Sequence, residues 1–325
     1  MNERALGRTG AVVGEVGQGC WQLGGDWGTV EEETAFRILE TAVEMGVTFW
    51  DTANVYGGGR SETLIGRFLK AHLAKVFVAT KLGRGAIYPN GYTRTAVRQA
   101  TEESLRRLRA EALDLTQLHC IPMAVLQQGD VFDWLRELKQ EGKIRNWGAS
   151  VESMDEALVC LEQEGLASLQ IIFNIFRQKP IRALFPQAKA KGVAIIARVP
   201  LASGLLSGKF AAGTRFAEND HRNYNRDGEA FNVGETFAGL PFEKGVELAD
   251  GLKPLVPAGL TMAQMALRWI LDHDAVSVII PGASRPEQVR NNASASALDP
   301  LGEALHAQLQ GYYQEKVHPF IRGPY

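Results

Sequence analysis

Short apolar runs that read as β-strands recur along this chain, and the stretches between them carry the 3.6-residue spacing of amphipathic helices. Leu6 to Trp21, punctuated by glycines at 7, 10, 14, 17 and 19, reads as a small hairpin entering a first strand. Further strands are predicted at 47–50, 76–80, 113–118, 144–147, 169–173, 193–197 and 276–280. Helices are predicted at 31–45, 61–70, 93–109, 131–141, 153–163, 182–191 and 286–295, with Ser61 and Thr93 as N-caps of two of them. Eight strands alternating with helices over 325 residues predict a (β/α)8 TIM barrel with an N-terminal hairpin, one domain over residues 1–325. The competing architecture, a doubly wound sheet, would carry a glycine-rich strand–turn–helix fingerprint for a dinucleotide. None follows a strand here, and the run Gly57-Gly58-Gly59 after Tyr56 reads as a flexible loop.

Two segments interrupt the alternation. Residues 207–240 form a long polar loop after the seventh strand, a size that in a compact domain marks function or disorder. The tail from about Pro300 to Tyr325 adds a helix and a proline- and glycine-containing end that would lie over the barrel mouth or mediate association.

Four residues stand at or near the ends of predicted strands. Asp51 follows Val47 to Trp50, with Tyr56 five residues on in the same loop; Lys81 follows Val76 to Thr80; His119 follows Leu113 to Leu118. In a parallel barrel every strand's C-terminal end opens on one face, so side chains distant in sequence converge there. Their chemistry is complementary. A lysine ammonium favours a phenolate and would lower the pKa of Tyr56, Asp51 would hold that lysine charged, and His119 would orient a substrate oxygen. Each residue alone has a plainer reading, as a cap, a solvated lysine or a core histidine. The four together predict proton-coupled hydride transfer to a carbonyl.

Composition narrows the alternatives. With 45% hydrophobic and 22% charged residues and a net charge of -2, the chain offers no nucleic-acid surface. The densest basic patch, Arg106, Arg107 and Arg109, lies beside Glu102 and Glu103 and reads as a solvated helix face. Cys20, Cys120 and Cys160 show no metal or redox spacing and fit a reducing compartment, and the histidines show no ligand spacing, so no metal is expected. No apolar stretch reaches membrane-spanning length and no signal core opens the chain; these features predict a soluble, cytoplasmic protein.

The stretch from Phe49 to Gly57, continued by Ser61 to Gly66, resembles the signature of the aldo-keto reductase family, and Ala79-Thr80-Lys81 and Leu118-His119 resemble its two other catalytic positions. The segment Ile280 to Arg285 is similar to its coenzyme-binding segment, and the resemblance covers nearly the whole chain. It includes similarity to the branch of potassium-channel beta subunits. The resemblance implies NAD(P)H-dependent reduction of an aldehyde or ketone, or oxidation of the corresponding alcohol or sugar, with Tyr56 as general acid or base. It also implies a nicotinamide bound across the barrel mouth without a Rossmann domain, in line with the missing fingerprint.

Carried over by position, the cofactor contacts implied by the resemblance begin at Gly19, Cys20, Trp21 and Asp51, with Ser150 and Gln170 on the nicotinamide carboxamide. Val151 stands where the family usually has Asn, and Arg198 where it commonly has a stacking tyrosine. A guanidinium there would favour the neutral reduced ring over the cationic oxidised one. Val199, Pro200 and Leu201 follow, and Gly204, Leu205, Gly208 and Lys209 match the pyrophosphate loop. Asp220, His221 and Arg222 would close over the cofactor or simply be solvated. Gly282, Ser284, Arg285 and Gln288, with Asn291 and Asn292, stand at the adenosine end, where Arg285 would take a 2′-phosphate and favour NADP(H), NAD(H) remaining open. Trp21, Trp27, Tyr56, Tyr88 and His119 are expected to line the substrate pocket. Two other functions fit parts of the pattern: a nucleotide-binding regulatory subunit of the same fold, and a barrel enzyme using Lys81 as a Schiff base.

Overall fold

The computed structural model describes residues 1–325. β1 (Glu3–Ala5) and β2 (Val12–Gly14) form the antiparallel hairpin. Eight parallel strands follow: β3 (Gln18–Gly19), β4 (Phe49–Asp51), β5 (Phe77–Leu82), β6 (Leu115–His119), β7 (Trp147–Ser150), β8 (Leu166–Ile172), β9 (Ala194–Arg198) and β10 (Val276–Ile279), hydrogen-bonded in chain order. Bridges from Val16 to Ile279 and from Gly19 to Gly282 join the first of them to the last. At this seam Gly17 N donates to Ile279 O at 2.7 Å and Gly19 N donates to Pro281 O at 3.0 Å. Leu6 and Val13 of the hairpin pack with Phe49, Ala79, Leu115, Ala194 and Val278, so an apolar plug fills the end where the strands begin.

The helices are α1 (Glu32–Glu44), α2 (Arg60–His72), α3 (Arg94–Leu108), α4 (Met123–Gln128), α5 (Asp130–Gln140), α6 (Met154–Leu161), α7 (Pro180–Ala183), α8 (Phe185–Lys191), α9 (His221–Tyr224), α10 (Phe242–Leu252), α11 (Met262–Leu271), α12 (Pro286–Ala293) and α13 (Glu303–Tyr312). The long ones bury one apolar stripe against the strands, as Phe132, Leu135 and Leu138 of α5 do. None is long and apolar enough to cross a membrane.

The expected alternation holds, with local corrections. Asp51 and His119 are the last residues of β4 and β6, and Lys81 lies inside β5, rather than just past them. The fifth barrel strand sits at 147–150, not 144–147, because Ile144 forms only a single bridge to Leu113 while Gly148 to Ser150 pair fully with β6 and β8. The predicted 182–191 helix divides at Leu184, since Pro186 removes a backbone donor from the next helix's first turn. Thr93 caps α3, its side chain accepting from Ala96 N. Ser61 is not a cap: it lies in the first turn of α2, buried, donating to Cys20 O at 2.9 Å. The stretch 207–240 contains α9 and several single turns, and α10 and α11 stand between it and β10.

Candidate active site

Asp51, Lys81 and His119 reach the barrel mouth because β4, β5 and β6 are neighbours in register. Tyr56 arrives from the loop after β4. Its turn is tight because Gly57 and Gly58 adopt φ of 59° and 61°, and a Cβ on Gly57 would stand 2.3 Å from Gly24 O. Trp21 then stacks on the Tyr56 ring, centroids 5.7 Å apart, while His119 meets it edge-on at 5.8 Å.

Lys81 Nζ donates to Asp51 Oδ2 at 2.5 Å, to Thr52 O at 2.8 Å and to Tyr56 Oη at 3.2 Å. Gln170 Nε2 donates to the other Asp51 oxygen at 2.6 Å, and Ser150 Oγ donates to Gln170 Oε1 at 3.4 Å. Gln170, buried on β8, is thus hydrogen-bonded on both sides. Burial works against the Lys81 charge, but Asp51 and then Tyr56 outweigh it and raise its pKa above the ordinary lysine value. A lysine held charged by three acceptors is a poor nucleophile, which argues against the Schiff-base reading. For Tyr56 the sequence-based expectation is reversed: burial pushes the phenol up to about 12, and the Lys81 charge opposes this without overcoming it. The phenol therefore holds its proton through neutrality. Burial, with the Arg84, Lys81 and Arg198 charges behind it, drives His119 well below the usual histidine range, so its imidazole is neutral, and its Nδ1 has no partner.

A cavity of about 320 Å³ runs across this mouth. Gly19, Trp21, Trp27, Asp51, Tyr56, His119, Ser150, Gln170 and Arg198 line it. Val199, Pro200, Leu201, Gly204 and Lys209 continue the wall, and Gly282, Ser284, Arg285 and Gln288 complete it. Other candidates lie off it. Lys81 is buried behind Tyr56. Cys20 is buried, Leu205 packs on Gly245, and Gly208 on Met262. Asn291 and Asn292 do not reach the cavity, although Asn292 Nδ2 donates to Gly282 O at 3.3 Å. Tyr88 is 50% exposed and away from the wall. His221 is enclosed between Trp21 and Trp27, while Arg222 lines the cavity and pairs with Asp220. A larger open groove of about 1010 Å³ lies beside α13 and the start of β10, remote from Tyr56.

The wall includes residues that strand patterning missed: Gln22, Ser203, Phe210 and Glu235. Gln22 leans over Gly282, where an added Cβ would fall 2.1 Å from its amide oxygen. Glu235 belongs to a buried ionic cluster. Arg84 Nη2 lies 2.8 Å from carboxylate oxygens of both Glu152 and Glu235, and Arg198 Nη1 lies 3.5 Å from Glu235. Arg198 Nη2 donates to Val151 O at 3.0 Å, and Asn232 Nδ2 to Glu152 at 3.0 Å. Burial opposes the Glu235 charge, but Arg84 and Arg198 hold its pKa down at about 2; burial and Glu235 push Glu152 up to about 7. Cys120, Glu152 and Glu235 bring ligand-type atoms within 4.8 Å of one another, but Arg84 already pairs with both carboxylates and Arg198 with Glu235.

The barrel carries Asp51, Tyr56, Lys81 and His119 together at the mouth of its cavity. Residues 15–314 match the aldo/keto reductase family, and the chain belongs to it. L-galactose dehydrogenase of Arabidopsis thaliana is 30% identical over 311 residues, covering 92% of this chain and 89% of that one. The solved glycerol dehydrogenase of Gluconobacter oxydans superposes with a TM-score of 0.80 at 29% identity, covering 99% and 98%. A probable voltage-gated potassium channel subunit beta of rice is 29% identical over 320 residues, covering 93% of each chain.

Proposed function

We propose that this chain is a nicotinamide-nucleotide-dependent reductase of small aldehydes, ketones or sugar-like carbonyls, working also as the reverse dehydrogenase, in a single cytoplasmic barrel domain. The observation that carries this reading is the hydrogen-bonded line Asp51–Lys81–Tyr56 ending at the cavity with neutral His119 beside it. The cavity suits a dinucleotide. His119 Nδ1, Arg198 Nε and Gln22 Oε1 are buried atoms of wall residues with no protein partner, and Lys209 and Arg285 add cations free of ion pairs to the same wall. Arg285 stands at the N-cap of α12, and a cation beside that helix start supports a 2′-phosphate and so NADP(H) over NAD(H).

The bound nucleotide supplies or accepts the hydride. Tyr56 Oη gives its proton to the substrate oxygen in reduction and takes it back in oxidation. Lys81 stabilises the phenolate that forms, and Asp51, held by Gln170, keeps Lys81 charged. His119, its imidazole neutral and lining the cavity edge-on to Tyr56, orients the substrate oxygen. Trp21 and Trp27 supply aromatic faces on which an apolar chain or a sugar ring can rest. The two dehydrogenase relatives, named for L-galactose and glycerol, support a polyhydroxylated substrate.

The test is NADPH and NADH binding followed by protein fluorescence, then turnover on aldehydes, ketones and sugars. Binding with turnover that Tyr56→Phe abolishes is expected. Binding with no turnover across the panel would favour the regulatory-subunit reading that the rice relative supports. Loss of turnover with borohydride labelling of Lys81 would revive the Schiff-base reading.

A further inference from the structure

We propose that Glu235, carried to the barrel mouth by the long loop after β9, sets the relative affinity for oxidised and reduced cofactor by neutralising Arg198. The inference rests on the reading that the cavity takes a nicotinamide nucleotide, whose ring is cationic when oxidised and neutral when reduced. Arg198 and Glu235 both line that cavity, 7% and 5% exposed, with their charged atoms 3.5 Å apart. Ser150 and Gln170, on the adjacent strands β7 and β8, share the wall with them.

The surroundings make Glu235 the balancing charge. Arg84 and Arg198 contribute two guanidiniums, Glu152 and Glu235 two carboxylates, so the ionised cluster is neutral. In the same mouth Lys81 is paired with Asp51 and Arg222 with Asp220. Arg198 Nε remains without a partner, so the pairing with Glu235 does not use up the guanidinium. Removing the Glu235 charge leaves one unbalanced positive charge at the wall, and removing the Arg198 charge leaves one unbalanced negative charge. In a buried setting such a charge is only weakly screened. It acts on the oxidised ring and leaves the reduced ring nearly untouched. A residue that only shapes the pocket would alter affinity for both forms together.

The experiment measures dissociation constants of NADP⁺ and NADPH for the full chain by fluorescence titration, at one pH above the Glu152 titration near 7. Glu235→Gln is expected to raise the ratio of the NADP⁺ constant to the NADPH constant about fivefold or more, and Arg198→Met to lower it by a similar factor. The double variant is expected to return to within about twofold of the unmodified chain. The 2′-phospho-ADP-ribose fragment, which lacks the nicotinamide, should bind all forms alike and so report an intact cavity. If a variant loses this fragment, Arg84→Met removes a positive charge from behind the wall and should also lower the ratio. Ratios that stay unchanged, or that move in the same direction for Glu235→Gln and Arg198→Met, overturn the inference. An unmodified chain that binds neither dinucleotide overturns the underlying reading instead, and this inference with it.

Discussion

The two halves of the barrel mouth are both built on buried charge, but they are held in different ways. On one side Asp51 and Lys81 project from adjacent strands whose ladders fix them, and their ion pair is closed by Gln170 and the Thr52 carbonyl. On the other side Glu235 sits in a loop, and only its partners hold it there. Arg84 and Arg198 grip its carboxylate, while Arg322 of the C-terminal tail donates to Gly239 O at 3.0 Å and Arg177 donates to Ala238 O at 3.3 Å. Tail, loop and strand ends therefore form one chain of contacts. The strand half can be tuned for proton transfer without moving, because its frame is the sheet. The loop half derives its shape from the same interactions that give it its charge, so shape and charge change together.

The sharpest break between the halves is Tyr56→Phe. Turnover should fall about 10²- to 10⁴-fold while NADPH binding persists, read by steady-state rates beside fluorescence titration. A variant with undiminished turnover would remove the proton-donor role. Lys81→Met leaves Asp51 as a buried, unpaired charge; stability should drop by about 3–5 kcal/mol in urea unfolding, with activity lost as well. A drop below about 1 kcal/mol would show that Gln170 and Gln117 suffice for Asp51. Gly282→Ala drives a methyl into the far end of the Gln22 side chain, which can swing aside, so it should cost no more than about 1 kcal/mol while weakening nucleotide binding, an effect relieved by adding Gln22→Ala. Arg322→Ala should cost roughly 1 kcal/mol and raise hydrogen exchange over residues 226–240, leaving β4 and β5 protected. Equal exchange in both halves would erase the distinction between them. The smallest effect is expected from pH. Reduction uses the protonated phenol, and the Tyr56 pKa near 12 lies far above neutrality, so its rate should stay level through neutral pH and fall only in strong alkali. Oxidation uses the phenolate and should rise with pH; a reduction rate falling near neutrality would contradict the buried, protonated phenol.

The strand half was legible in the sequence because strand periodicity and the polar residue closing each run are local properties. Asp51, Lys81 and His119 stood out for that reason, although the fifth barrel strand was misplaced where Ile144 imitates a strand without pairing as one. The loop half was opaque. Nothing in Asn232 to Glu235 marks a carboxylate that will meet Arg84 and Arg198, respectively 151 and 37 positions away, since that meeting depends on how the finished barrel carries its loops. Gln22 is hidden likewise: the room its side chain occupies is left by a glycine on the far side of the seam. The sequence predicts the wrong net direction for Tyr56 because the lysine is visible in it and the depth of burial is not.

The seam also sets an order in time. Gly19 and Gly282 face each other across the last gap in the barrel, and both line the cavity, yet nearly the whole chain lies between them. During synthesis the first strands are made long before β10 emerges to meet them, and contacts so distant in sequence are among the slowest to form. The candidate site residues of β4 to β6 can therefore be assembled while the cavity beside them is still open along one wall. A ligand that grips both sides of the seam recognises only the finished barrel, and its binding energy is added to the last step of folding.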